Sequence, residues 1–240
     1  MSQYTRILHV IDRSQFPDPR DTDENGILAV GGVLEPDLLL DAYVHGIFPW
    51  PYVDSFEAVT VWFSPVVRAL IEPETFHISR RLRQTLRSGK FHVTIDRAFR
   101  EVITNCATVK RPDEDGTWIT DEIIRGFCKF HEAGFAHSVA VWHDDRLVGG
   151  LYGEALGSYF AGESKFHFET DASKVALAWL VRHLQTLGFT LIDVQVANSH
   201  TEQFNLNIVP REEFLTRLRA AILNRNVLFS PKITWKKEDF

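Results

Sequence analysis

An apolar run, Leu191-Ile192-Asp193-Val194-Gln195-Val196, carries a carboxylate and a carboxamide two residues apart. Positions i and i+2 of a strand share a face, so Asp193 and Gln195 are expected side by side. Burying both unpaired is costly, so they either satisfy an internal network or line a site. Asn198 and His200 continue the polar run and tilt the reading toward a site. A second candidate is Gly162-Glu163-Ser164-Lys165, where Glu163 and Lys165 fall on one strand face and could simply pair with each other. Two tryptophans sit in segments expected to be loops. Trp50 lies in Gly46-Ile47-Phe48-Pro49-Trp50-Pro51, where two prolines each remove a backbone donor, and no regular structure is expected there. Trp118 follows Gly116-Thr117, just before a helix cap. A loop tryptophan either anchors its loop to the core or offers a plate for a nucleobase, a contact of about 1–3 kcal/mol per base.

A third feature is electrostatic. Between Thr75 and Ile95 there is no acidic residue, while Arg80, Arg81, Arg83, Arg87 and Lys90 give a local charge of +5. The net charge of the chain is −6, which leaves −11 for the rest. Arg80, Arg83 and Arg87 share one helical face, and Ile78, Leu82 and Leu86 the opposite one. Soluble faces usually mix signs. This one suits phosphates, so a nucleic acid is a candidate partner despite the acidity of the whole chain.

Other chemistries are set aside. No G-x-x-x-x-G-K-[ST] loop, helix-opening G-x-G-x-x-G or G-x-S-x-G elbow occurs. Cys106 and Cys128 are too few for a disulfide framework or a zinc ribbon. His131 and His137 are six apart, not a helix-face ligand spacing, so no metal and no cofactor is expected. With no basic–apolar leader and no membrane-length run, the reading is a soluble cytoplasmic protein.

The elements that must position these residues follow from the pattern. Within 240 residues, 45% are hydrophobic, enough for a sizeable core. Residues 1–15 read as an edge strand (Arg6 to Ile11) or a loosely held arm. Pro36 starts a helix that stops at Gly46, and residues 59–71 are strand, interrupted at Pro65. Residues 77–88 form the basic helix, and Thr120 or Asp121 caps another that runs to Gly134. Strands at 138–143 and 146–152 flank the hairpin signal Asp144-Asp145. A strand at 158–166, a helix at 172–187 stopped by Gly188, a strand at 189–196 and a helix at 211–223 complete the order. This is an α/β (α+β) pattern, with a small N-terminal domain over 1–70 and a larger domain over 71–240.

The motifs, taken in order, resemble a known family. They are Asn25-Gly26-x-Leu28-Ala29-x-Gly31-Gly32, Gly46-Ile47-Phe48-Pro49-Trp50, Trp62-x-Ser64-Pro65, His77-Ile78-Ser79-Arg80 and Gly116-Thr117-Trp118-Ile119-Thr120. There follow His137-Ser138-x-x-x-Trp142, Leu147-Val148-Gly149-Gly150-x-Tyr152-Gly153, Gly162-Glu163-Ser164, Ala172-Ser173-Lys174 and Leu191-Ile192-Asp193-x-Gln195. Over about residues 16–217 the chain resembles the leucyl/phenylalanyl-tRNA–protein transferases. The resemblance implies transfer of leucine or phenylalanine from aminoacyl-tRNA to proteins beginning with Arg or Lys, creating a degradation signal. It implies a monomer, and a C-terminal domain like the GNAT acetyltransferases, a mixed sheet flanked by helices. Trp50 and Trp118 would hold the terminal adenosine. Leu151 and Phe160 would line the pocket for the amino-acid side chain, which Glu163, Ser164 and Lys165 adjoin. Asp193 and Gln195 would lie at the reaction centre, Asp193 orienting or deprotonating the acceptor amine. Arg80, Arg83 and Arg87 are the expected tRNA face.

The chain departs from that family at three places. Lys165 stands where Met is usual, so the pocket either favours another donor or keeps only the apolar stem of the lysine. Phe204-Asn205-Leu206 replaces Leu-Gly-Ala, and Phe127 replaces Tyr. The alternative is a transferase with a different donor amino acid or acceptor N-terminus. Acetyl-CoA chemistry is disfavoured, because His167-Phe168-Glu169-Thr170-Asp171 has no glycine to present backbone N–H groups to a pyrophosphate.

Overall fold

The computed structural model describes residues 3–53, 58–109, 119–197, 201–234 and 236–240. The chain opens with helix α1 (Gln3–Val10), where a strand or arm was expected. Ile7 and Ile11, four apart, are both buried, and that helical spacing outweighs the weak strand signal. Strand β1 (Ile27–Val30) precedes α2 (Pro36–Val44), which starts on its proline as expected. Strands β2 (Phe48–Val53) and β3 (Ala58–Phe63) follow, and the three strands pair in the order β1-β3-β2. The proline-rich segment is therefore regular after all. As β2 is an edge strand, Pro49 and Pro51, spaced two apart, put their missing N–H groups on the side with no neighbour.

The larger sheet has seven strands in the order β10-β4-β9-β8-β7-β6-β5. They are β4 (Val67–Ile71), β5 (His92–Ile95), β6 (Ala136–His143), β7 (Arg146–Leu156), β8 (Tyr159–His167), β9 (Leu191–Asp193) and β10 (Asn207–Pro210). Every pair is antiparallel except β8 with β9, so the sheet is mixed. The β6–β7 hairpin turns on Asp144 and Asp145, both at positive φ, as the Asp-Asp signal suggested. The strand–strand–strand–helix–strand order of β6, β7, β8, α6 (Ala172–Leu187) and β9 is that expected of the acyltransferase-like domain.

Helices cover both faces. On one, α6 packs over Val139, Leu151, Phe160 and Ile192. On the other, α2, α4 (Phe99–Thr108), α5 (Asp121–Glu132) and α7 (Arg211–Ile222) close over Tyr152, Tyr159, Ala161 and Phe166. This second core also takes in Phe48 and Trp62 of the small sheet. The expected division at residue 70 falls inside β4, a member of the large sheet.

Candidate active site

Strand β4 brings one cation into the sheet. Arg68 is the only charged residue of Val67-Arg68-Ala69-Leu70-Ile71 and is 1% exposed. Its guanidinium lies between the rings of Phe48 (4.8 Å) and Phe214 (4.3 Å). Nη1 donates to Gly46 O at 3.0 Å, Nη2 donates to Asp193 Oδ2, and Nε reaches Oδ1 at 3.4 Å. Asp193, at the end of β9, is fully buried. Its Oδ2 also accepts the Tyr159 hydroxyl at 3.0 Å, and its Oδ1 the Gln195 backbone N–H at 2.7 Å.

Both carboxylate oxygens of Asp193 are therefore engaged within the protein, one of them by the backbone of Gln195. Strand β9 is shorter than expected and ends at Asp193, so the two side chains do not share a strand face. Gln195 lies in a turn beyond the strand, at φ 63°, held there by the Asp193 carboxylate. The backbone around it stays tied to β4, with Val194 N–H on Ala69 O (2.9 Å) and Ala69 N–H on Gln195 O (3.0 Å).

From that turn the Gln195 carboxamide reaches across to β8 and donates to Glu163 Oε1. Glu163 is placed by a β-bulge. Tyr152 pairs with Ser164 and Gly153 with Gly162, which leaves Glu163 as the extra residue on β8. Gly153 is required beside the bulge, since a Cβ there would come within 2.1 Å of Ala161 O. The bulge turns Glu163 toward Tyr43 of α2 and Glu154 of β7. Burial pushes the Glu163 carboxyl up to about 7, against hydrogen bonds from Tyr43, Glu154 and Gln195 that draw it down. A carboxyl titrating there is matched to proton exchange with an α-amine of pKa about 7.7–8.0.

The opposite face of β7 and β8 is apolar. Leu151 and Phe160 are buried there beside Leu177 of α6 and Ile192 of β9. Lys165 lies directly across from Leu151 in the strand register and is partly buried. Trp50 is 38% exposed on β2, its ring edge-on to Phe63 at 6.5 Å. Trp118, Asn198 and His200 lie outside the described residues.

The basic helix is α3 (Arg80–Ser88), capped by Ser79 and anchored through buried Leu82 and Leu86. Its charges are not equivalent. Arg87 donates to the backbone oxygen of Phe240, and Arg81 lies 3.8 Å from Asp171. Among the described residues no ion pair forms at Arg80 or Arg83, and both are exposed. His131 and His137, set aside as metal ligands on their spacing, are brought together with Asp96 by the turn at Gly134. His137 Nδ1 is held by Asp96 at 2.8 Å and His131 Nδ1 by Ala136 O at 2.7 Å. Helix-face spacing was the wrong test for two residues on either side of a turn.

The sequence reading did not single out Arg68, Tyr43, Tyr159 or Glu154. Arg68 had a signal, a lone charge in an apolar strand.

Comparison with known proteins agrees with this architecture. The family model described as leucyl/phenylalanyl-tRNA protein transferase matches residues 70–219, and the model for that family's N-terminal domain matches residues 32–66. A leucyl/phenylalanyl-tRNA–protein transferase of Anaeromyxobacter dehalogenans (strain 2CP-C) is 47% identical over 207 residues, 86% of this chain and 88% of that protein. One from Dechloromonas aromatica (strain RCB) is 46% identical over 216 residues, 90% of this chain and 89% of its own length. Among solved structures, L-PGS from Bacillus licheniformis overlaps 72% of this chain and 54% of its own at 13% identity and a TM-score of 0.36, too loose a likeness to carry weight. On the family models and these relatives, the chain belongs to the leucyl/phenylalanyl-tRNA–protein transferase family, and is an aminoacyltransferase.

Proposed function

We propose that this protein moves leucine or phenylalanine from the 3′ end of an aminoacyl-tRNA to the α-amine of proteins that begin with Arg or Lys. The observation that carries the reading is the chain Arg68–Asp193–Gln195–Glu163. It runs from a fully buried ion pair to a partly exposed carboxylate. The Leu151–Phe160 face lies on the other side of the same strands.

In this reading the donor side chain enters the apolar face beside Leu151 and Phe160, and Trp50 and Trp118 stack on the terminal adenosine. Ser164 and Lys165 adjoin the ester, and Arg80, Arg83 and Arg87 face the tRNA. The acceptor α-ammonium meets Glu163 and passes it a proton. The neutral nitrogen attacks the ester carbonyl, forming the C–N bond. The C–O bond to the ribose then breaks, and the ribose oxygen leaves with a proton from the amine. An ester becomes an amide, so no nucleotide cofactor is needed. Gln195 holds the carboxylate in place, and Asp193 and Arg68 hold Gln195. The groups around Gln195 all come from one chain, so the reading needs no second copy. Charged tRNA is a cytoplasmic donor, which is where the reading places the protein.

The test is a transfer assay. Purified protein is mixed with tRNA charged separately with each amino acid and with peptides beginning with Arg, Lys, Asp, Glu or Ala. Leucine or phenylalanine should appear on the Arg and Lys peptides. Transfer of a different amino acid, or to a different acceptor, would replace the reading with one in which Lys165 has redirected the pocket.

A further inference from the structure

Glu154 has no part in the reaction as described, yet it is a carboxyl group in the middle of the sheet. Its strand neighbours are Ala136 on β6 and Ala161 on β8, and its side chain is 0% exposed. With Glu154 ionised, neither of its oxygens finds a hydrogen-bond partner among the described residues. The ionisable groups around it are Glu163 of β8, Asp193 of β9, Arg68 of β4, Tyr43 of α2, and Tyr152 and Tyr159 of the sheet. Three carboxyl groups thus share one guanidinium, and Asp193 already takes its Nη2 and Nε donors. An unpaired carboxylate is too costly at such a place. Two facing carboxyls can form a hydrogen bond only when one of them holds a proton, and the bulge sets Glu163 against Glu154.

We propose that Glu154 is a positioning residue for the transfer reaction, one that keeps a proton at neutral pH and donates it to Glu163. The gift is a hydrogen bond, not a transferred proton. It fills one oxygen of Glu163 from within the sheet while Gln195 fills another from the turn. It also stabilises the ionised form of Glu163, the form that takes the acceptor proton. Burial holds the Glu154 carboxyl well above the usual carboxylate range, with Glu163 adding to the effect. This inference rests on the role given to Glu163 above.

Two variants separate the possibilities. Glu154→Gln keeps a donor toward Glu163, whereas Glu154→Leu removes it. Both replace a neutral buried group by one of similar size, and thermal unfolding checks that they fold. Infrared spectra of protein carrying 13C-carboxyl glutamate read the proton directly. At pH 8 the wild type should show the C=O stretch of a protonated buried carboxyl, lost in Glu154→Gln, where Glu163 stays ionised. Transfer by Glu154→Leu should be slower than by Glu154→Gln by about fivefold at pH 7, the loss of ionised Glu163 when its midpoint moves up one unit from about 7, with the gap closing by pH 9. A wild-type spectrum without that band, or a band that survives in Glu154→Gln, overturns the shared proton. The band as expected but with equal rates for the two variants at pH 7 refutes the ionised role of Glu163 instead.

Discussion

Replacing Arg68 by Met tests the buried end of the site. The substitution keeps most of the volume but removes the one cation that, among the described residues, pairs with the fully buried Asp193. Breaking such a pair from one side costs about 3–5 kcal/mol, because the remaining charge has no partner. The contacts of the guanidinium with Phe48 and Phe214 add about 0.5–1 kcal/mol each. For a chain of this length the total of about 4–7 kcal/mol is a fall in Tm of roughly 8–28 °C. Asp193→Leu alone should cost about as much, by stranding Arg68. The double variant Arg68→Met/Asp193→Leu should recover most of the loss, since an apolar pair of similar volume needs no compensation. Urea and thermal unfolding of the four proteins complete the cycle. Single variants within about 1 kcal/mol of wild type, or a double variant that costs the sum of the two, would refute the buried pair as the anchor of Gln195.

Glu163 makes a prediction of opposite sign to the usual surface carboxylate. Its folded pKa is raised, to about 7, so the unfolded chain releases this proton first and stability falls as pH rises from about 4.5 to 7. Glu163→Gln should therefore be more stable than wild type at pH 8, by on the order of 3 kcal/mol at most, with the gap closing toward pH 5 in urea titrations. Replacing Arg80, Arg83 and Arg87 by Ala should weaken tRNA binding and flatten its salt dependence by up to about 3 in log–log slope. Arg87 should contribute least to that change, being already engaged with Phe240. Lys165→Met should lower the KM for leucyl-tRNA while leaving tRNA affinity unchanged, as measured with uncharged tRNA.

How far the sequence could be read depended on the range of the interactions involved. Helices α2, α3, α5 and α6 each carry their own signals: Pro36, Ser79, Thr120 and the Gly188 stop. The Asp144-Asp145 hairpin is equally local. The prolines of β2 misled because tolerance of proline depends on which edge of a sheet the segment occupies, and no local pattern encodes that. The Gln195 turn was read as strand because its conformation is imposed by the Asp193 carboxylate. Asp193 and Gln195 were singled out in the sequence, but not the hydrogen bond that joins them. The deciding partner of Asp193 is Arg68, 125 residues away. Glu154 was passed over because β7 was expected to end at residue 152, which put this carboxyl in a turn where it needs no partner.

The central claim is that Glu163 meets the acceptor amine and that Asp193 acts only through Gln195. Single-turnover transfer from leucyl-tRNA to an Arg-initiated peptide, followed from pH 5.5 to 9, tests it most directly. Wild type should lose rate on the acid side with a midpoint near 7, set by Glu163. Asp193→Asn should be much slower but keep that midpoint. Glu163→Gln should lose it and retain only the ionisation of the acceptor amine itself, at about 7.7–8.0. A midpoint near 7 that persists in Glu163→Gln, or vanishes in Asp193→Asn, would contradict the account.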